Sequence, residues 1–200
     1  MKKLIVMAAV ALFGAQVAKA QLKKGDILLG GTVNVYTKSE KTKDTDKKTT
    51  NTGFGVSPKV GMALNSNWVV GLFAETQFTF DKINGVKNNT TAIYPGVFVR
   101  NYHMLGQSKF AFFAEANAGY AYEKEKRADK DYSKTNGFKV NVLPGITYFV
   151  TPHFMVEGAF GGLSYAYGQE KFEGTDVKVN HSNFDFTFTR QFNLGVNFIF

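Results

Sequence analysis

Six charged residues stand where a charge is costly. Lys59, Glu75, Arg100, Glu115, Lys139 and Glu157 each fall within a stretch whose apolar side chains recur at every second position. Successive side chains of an extended chain point to opposite faces, so all six belong to the face opposite the apolar row. If that face is enclosed, the charges must find partners, because an unpaired buried charge is strongly destabilising. Three are cationic and three anionic, and Arg100 lies on the segment between those carrying Glu75 and Glu115. An interior ion-pair network is expected. It would either fill and fix the fold or line a narrow polar path, for which Gly55, Gly61, Gly71, Gly96, Gly119, Gly145 and Gly161 leave room. The filling role is the reading taken here.

Other reactive residues form no convincing constellation. His103 and His153 fall in short connections and His181 in a long one, so the three do not share one ion. His181 and Ser182 raise the idea of a lipid-modifying serine enzyme. Neighbouring strand residues point apart, however, whereas a nucleophile needs its base within hydrogen-bond reach. Asp44-Thr45-Asp46 and Asp129-Lys130-Asp131 lack the glycine and distal glutamate of a calcium loop and are surrounded by lysine. No catalytic residue, metal ligand or cofactor site is assigned.

Eight segments with period-two alternation carry these residues: 27–36, 54–64, 68–80, 91–102, 110–122, 138–150, 154–165, and a last one that starts between 184 and 190 and runs to 200. The last is the clearest. Phe192, Leu194, Val196, Phe198 and Phe200 make an apolar row against Gln191, Asn193, Gly195 and Asn197. A strand whose apolar row meets lipid, with an aromatic at the water boundary, has this form. Each segment is long enough to cross a hydrocarbon layer as a tilted strand, which takes about 9–11 residues. The connections 65–67, 103–109 and 151–153 are short, whereas 38–52, 81–89, 123–136 and 168–182 are longer and polar. Strict alternation of short and long connections is the habit of membrane barrels, with short turns on the periplasmic side. Arg190 is expected on the outward row near the outer rim, unless a bulge turns it inward.

The first twenty residues read as an export signal: Lys2 and Lys3, an apolar run from Leu4 to Phe13, then Ala18-Lys19-Ala20 as the cleavage site. The mature chain is expected to begin at Gln21. Later segments contain nothing near the roughly eighteen apolar residues of a spanning helix. An exported chain that crosses lipid must then do so as a closed barrel, the other fold that satisfies every backbone group there. There is no cysteine, which excludes disulfides, thiolate metal sites and a lipidated N-terminal cysteine. The net charge is +8, and +5 without Lys2, Lys3 and Lys19; this modest excess sits in polar connections and does not point to nucleic acid.

Val56-Ser57-Pro58-Lys59-Val60, Ile93-Tyr94-Pro95-Gly96-Val97 and Val142-Leu143-Pro144-Gly145-Ile146 form a weak repeat, each seven or eight residues before a short turn. Proline removes a ladder donor, so a recurring bulge or bend in the even-numbered strands is expected. With this repeat, the N-terminal signal, Val99-Arg100-Asn101-Tyr102 and the closing Asn197-Phe198-Ile199-Phe200, the chain resembles the outer membrane protein beta-barrel domain family. These are the small eight-stranded barrels of the OmpA, OmpX and opacity-protein type. The resemblance covers nearly all of the mature chain. It implies an all-β fold, an eight-stranded antiparallel up-and-down transmembrane β-barrel preceded by a cleaved signal peptide. The signal would occupy 1–20 and the barrel 21–200, in the outer membrane of a Gram-negative-type envelope. It also implies that Phe192, Leu194, Val196, Phe198 and Phe200 form the signal read by the barrel-assembly machinery.

The expected role is that of a non-enzymatic anchor displaying four mobile polar loops for structural, adhesive or interaction purposes. The expected partners are outer-membrane lipids including lipopolysaccharide. The alternative is a narrow porin-like channel for small solutes. The belt is expected to be apolar and the filling hydrophilic.

Overall fold

A computed structural model describes residues 22–41, 48–83, 86–128 and 130–200; side chains at 36, 38–41, 48–49, 83, 86 and 187–192 are not part of that description. Eight strands follow in chain order: β1 (Ile27–Lys41), β2 (Lys48–Ala63), β3 (Trp68–Ile83), β4 (Val86–Met104), β5 (Phe110–Arg127), β6 (Lys130–Thr151), β7 (Phe154–Phe172) and β8 (Lys178–Ile199). Each pairs with its chain neighbours, and β1 pairs with β8 to close the ring. That seam runs from Leu28↔Ile199 to Val33↔Leu194 and ends where Ile27 and Phe200 exchange two backbone bonds of 2.9 Å. Closure leaves no sheet edge in the lipid-facing band, where water cannot satisfy one.

One end of the barrel is joined by short turns. Asn65 Oδ1 accepts from the backbone N–H groups of Asn67 at 2.8 Å and Trp68 at 3.0 Å, which folds the β2–β3 turn back on itself. At the other end the strands run further than the apolar alternation. β6 and β8 reach 22 residues each, about twice what a hydrocarbon layer requires. Much of what reads as long polar loops is therefore paired strand. Lys124↔Lys134 and Glu125↔Ser133 extend the β5–β6 ladder, and Glu170↔Val179 the β7–β8 ladder. The mobile loops of the sequence reading are, among the described residues, mainly hairpin ribbons. Their side chains are mainly polar, with few apolar residues such as Phe172 and Val179, so they carry no sustained apolar periodicity to read. The expected Asp44-Thr45-Asp46 cluster lies outside the described residues.

The outward row follows the alternation. Leu72, Val97, Phe112 and Leu194 are more than half exposed, and Phe200 is the most exposed at 72%. In β7 the row changes parity. Phe154, Val156 and Phe160 lead it, then Leu163, Tyr165 and Tyr167 take over, because the pairing shifts between Phe160 and Gly162. A one-residue bulge swaps the faces of everything beyond it.

The prolines act on one side only. Pro58, Pro95 and Pro144 pair with Gly31, Ala74 and Ala114 of the preceding strands. Toward the following strand the ladder skips each of them, between Val56 and Lys59, Ile93 and Gly96, and Val142 and Gly145. The missing N–H accounts for the skip. Only at Pro144 does the register shift, so of the expected recurring bulge or bend a bulge occurs once, with ladder interruptions at the other two prolines.

The lumen departs from the expected hydrophilic filling. Phe73, Phe98, Phe113 and Phe149 point inward and are buried with Tyr94 and Tyr102. Eight strands leave an interior only wide enough for side chains to fill, and flat rings fill it well. The inward glycines make that room. A Cβ at Gly71 would lie 2.8 Å from the Phe98 ring, at Gly96 2.8 Å from Phe73, and at Gly145 2.2 Å from Phe113. These glycines seat rings rather than open a polar path.

Candidate functional site in the barrel lumen

Arg100 of β4 is the centre of the short-turn half. Its Nε donates to Glu115 Oε2 at 2.9 Å, Nη2 donates to Glu115 Oε2 and to Glu157 Oε1 at 3.1 Å, and Nη1 donates to Glu157 Oε2 and to the Tyr102 hydroxyl at 2.9 Å. A guanidinium has five N–H donors, and all five are used. The plane of the group also stacks on Phe113, with Cζ 4.2 Å from the ring centroid. Lys59 of β2 donates to both oxygens of Glu115 at 2.6 and 2.8 Å. Two cations thus face two carboxylates, and Arg100, Glu115 and Glu157 are each no more than 3% exposed.

The strands explain how they meet. Arg100 and Glu115 are cross-strand partners on β4 and β5, so they touch by register alone. Lys59 to Glu115 spans β2 to β5 and Arg100 to Glu157 spans β4 to β7, so both contacts cross the lumen. Gly195 of β8 clears the path for Glu157: a Cβ there would lie 2.9 Å from Glu157 Cγ. The network continues away from the short turns. Asn117 Nδ2 donates to Glu115 at 3.1 Å, Asn141 Nδ2 donates to Asn117 Oδ1 at 2.8 Å, and the Tyr94 hydroxyl donates to the Lys139 carbonyl at 2.7 Å. Ions, amides and rings together close the barrel at this level.

Residues 5–200 match the family described as the outer membrane protein beta-barrel domain. The chain belongs to the outer membrane protein beta-barrel domain family. Among solved structures, OprG from Pseudomonas aeruginosa is 17% identical with a TM-score of 0.51, covering 92% of this chain and 99% of that one. Neisserial surface protein A is 16% identical with a TM-score of 0.48 over 88% of this chain and 98% of that one. OmpW from E. coli is 17% identical with a TM-score of 0.44 over 86% of this chain and 97% of that one. No curated protein matches. Family and fold together make this an outer-membrane β-barrel protein.

Within this outer-membrane barrel the six interior charges divide. Lys59, Arg100, Glu115 and Glu157 form the network. Glu75 and Lys139 stand apart, both lining a chamber of about 320 Å³ in the long-hairpin half. Arg100 therefore meets Glu115 and Glu157 but not Glu75, which lies in register with Tyr94, six residues before Arg100 on β4. The amides Asn117 and Asn141 and the hydroxyls of Tyr94 and Tyr102 were missed by reading charges alone. They lie at the same parity: Tyr102 two residues from Arg100, Asn117 two from Glu115. Inward parity was the signal that would have found them.

The remaining candidates disperse. His153 Nδ1 lies 3.1 Å from the Ile199 carbonyl at the short-turn end, whereas His181 Nε2 meets Glu170 at 3.0 Å in the β7–β8 ribbon. Ser182, the serine beside His181, is in register with Tyr167 of β7, while His181 is in register with Gly168. Asp131 pairs with Lys124 at 2.7 Å. Leu194, Val196, Phe198 and Phe200 face outward, and Phe198 packs on Phe154 at 5.1 Å between centroids. The side chains of Phe192 and Arg190 lie outside the described residues. The backbone pairing there passes from Phe192 directly to Thr187, so Arg190 falls in an irregular stretch of β8.

Proposed function

We propose that this outer-membrane barrel is a non-enzymatic anchor that holds four hairpin ribbons at the cell surface and does not conduct solutes. The observation that carries this reading is the cross-lumen network of Lys59, Glu115, Arg100 and Glu157, stacked on Phe113 and backed by Tyr102. An ion passing it would have to displace a guanidinium whose five donors are all engaged, in an interior about as wide as its side chains. The porin-like alternative loses its support where the lumenal glycines seat rings.

In this reading residues 1–20 are a cleaved export signal and 21–200 the mature barrel. The short turns then face the periplasm and the ribbons face outward. Outer-membrane lipids, lipopolysaccharide included, surround the belt, and the barrel-assembly machinery reads Phe192, Leu194, Val196, Phe198 and Phe200 as β8 closes on β1. Nucleic acid has no part. The test is conductance of the purified full barrel in planar bilayers. A silent membrane is expected. Discrete unitary currents that change on Arg100→Ala would replace the anchor with a channel.

A further inference from the structure

The long-hairpin half of the lumen differs in kind from the plugged half. Several of its inward positions on β4 to β7 are small, among them Ala92, Ala121 and Gly137, which leaves space between the larger side chains. The space left is the chamber of about 320 Å³, at the lower end of the sizes that hold small organic ligands. Its floor is Tyr94, buried at 5% exposure, bonded to the Lys139 carbonyl and packed edge-on against Phe73 at 4.9 Å between centroids. Beneath the floor lies the ion network. A molecule entering from the hairpin end must leave by the same way.

The lining selects what enters. Much of the wall is carbon from alanines and tyrosine rings, and it includes the carboxylates of Glu75 and Glu123 against the single ammonium of Lys139 and the imidazole of His181, which Glu170 already engages. Lys139 Nζ already lies 5.2 Å from the Tyr94 ring centroid. Glu75 makes no ion pair within 4.0 Å among the described residues, although it is half-buried. Gln77 stands one inward position beyond Glu75, and Glu123 lines the mouth on the other side of Ala92. Partial burial and then the neighbouring Glu125 and Glu170 carboxylates hold Glu123 above the usual carboxylate range. Those neighbours are bonded to Arg127 and His181, and Glu123 itself lines the chamber.

We propose that this chamber is a blind pouch that binds a small primary ammonium compound with an apolar or aromatic body. The ammonium would donate to Glu75 and Gln77, while the body lies against Tyr94 and the alanines. An anion would meet two carboxylates. A neutral guest would displace water from Glu75 without supplying a partner for its charge, which is unfavourable. A hard metal ion needs a shell of oxygen ligands that these walls lack, and no group of three metal-ligating side chains occurs among the described residues.

The experiment uses the full barrel in nanodiscs, with calorimetry and the ring resonances of Tyr94 as readouts. The probes are phenethylammonium, phenethyl alcohol and phenylacetate. Phenethylammonium is expected to saturate and to shift Tyr94, with the alcohol about 10-fold weaker or worse and phenylacetate not binding, a difference of at least ~1.4 kcal/mol. Glu75→Gln should weaken the amine by about 10-fold and leave the alcohol unchanged. Lys139→Gln, which removes the competing cation, should tighten the amine and gives a second test if Glu75→Gln folds poorly. Equal binding of alcohol and amine, preference for phenylacetate, no saturation, or insensitivity to both substitutions would each overturn the proposal. Conductance plays no part in these readouts, so they stand apart from the test of the anchor.

Discussion

Replacing Arg100 with Met isolates what the lumenal network contributes. The side chain is close in length and apolar, so Phe113 keeps a partner to pack on while five hydrogen bonds vanish. Glu115 retains both bonds from Lys59. Glu157 is bonded to Arg100 alone among the described residues, and at 2% exposure it loses both bonds and keeps only the unbonded charge of Lys59 nearby. Breaking a buried pair by removing one partner costs about 3–5 kcal/mol, mostly through the charge left behind. If that is the cause, a second change that removes the orphan should restore part of the loss. Arg100→Met with Glu157→Gln keeps a neutral lumen, with Glu115 against Lys59, and should recover about 2 kcal/mol, because the remaining cost is that of unmet neutral bonds. Denaturant unfolding in lipid vesicles gives these values. Trp68, the only tryptophan, is the reporter; it pairs with Asn101 beside Arg100 but lies on the outward face, opposite the substituted side chains. A loss below about 1 kcal/mol for the single variant would refute the reasoning, since a buried charge cannot be orphaned so cheaply. A double variant no more stable than the single one would refute it equally.

Arg100→Lys should also destabilise the barrel, since three rotatable donors cannot serve the five acceptor contacts nor stack on Phe113; the same unfolding assay should place it between wild type and Arg100→Met. Gly145→Ala should cost about 1–3 kcal/mol, because the added methyl meets the Phe113 ring at 2.2 Å and the Gly158 carbonyl at 2.7 Å; the unfolding midpoint checks it. Phe200→Ala should reduce the amount of folded barrel in cells yet leave refolding in detergent unchanged, since the closing bonds to Ile27 are backbone bonds; heat-modifiable migration on gels reports both. In the β7–β8 ribbon, the Ser133 hydroxyl first and His181 second hold the Glu170 carboxyl below its usual range. A carboxyl lowered by folding contributes stability above its unfolded pKa and loses it as pH falls through the folded one. Nuclear magnetic resonance titration should therefore show a depressed Glu170 midpoint that rises in Ser133→Ala.

The fold was legible where one face is greasy. Alternation fixed the inner ends of β2 to β7 to within a residue or two, because lipid on one side and packed side chains on the other impose a period of two. It stopped where both faces are wet. The outer halves of the strands, such as Lys124–Arg127 against Lys130–Lys134, carry no apolar signal and read as loops. The site was legible in part for a related reason. Charges stand out on an inward row, but partners that are uncharged, such as Asn117 and Tyr102, do not. Nor did alternation reveal how the lumen divides, because that depends on which inward glycines sit opposite a ring. Gly71 and Gly96 have Phe98 and Phe73 beside them, whereas Gly137 and Gly168 have none.

The placement of that network also bears on why charge fills a space that rings alone could fill. A purely apolar lumen would tolerate strand slippage by two residues, because such a slip returns every side chain to its own face. Arg100 does not. Moved two residues along β5, it would face Phe113 or Asn117 instead of Glu115, and the fork to Glu157 across the lumen would be lost. Lys59 imposes the same condition on β2, three strands from its partner. Two cross-lumen contacts therefore tie the β2–β5 and β4–β7 distances to one register each, and every slipped arrangement leaves charges unpaired in a dry interior. The desolvation of four ions costs stability that rings would not. What it secures is discrimination, since the correct closure of β1 on β8 becomes the one in which all five donors of Arg100 and both carboxylates are satisfied at once.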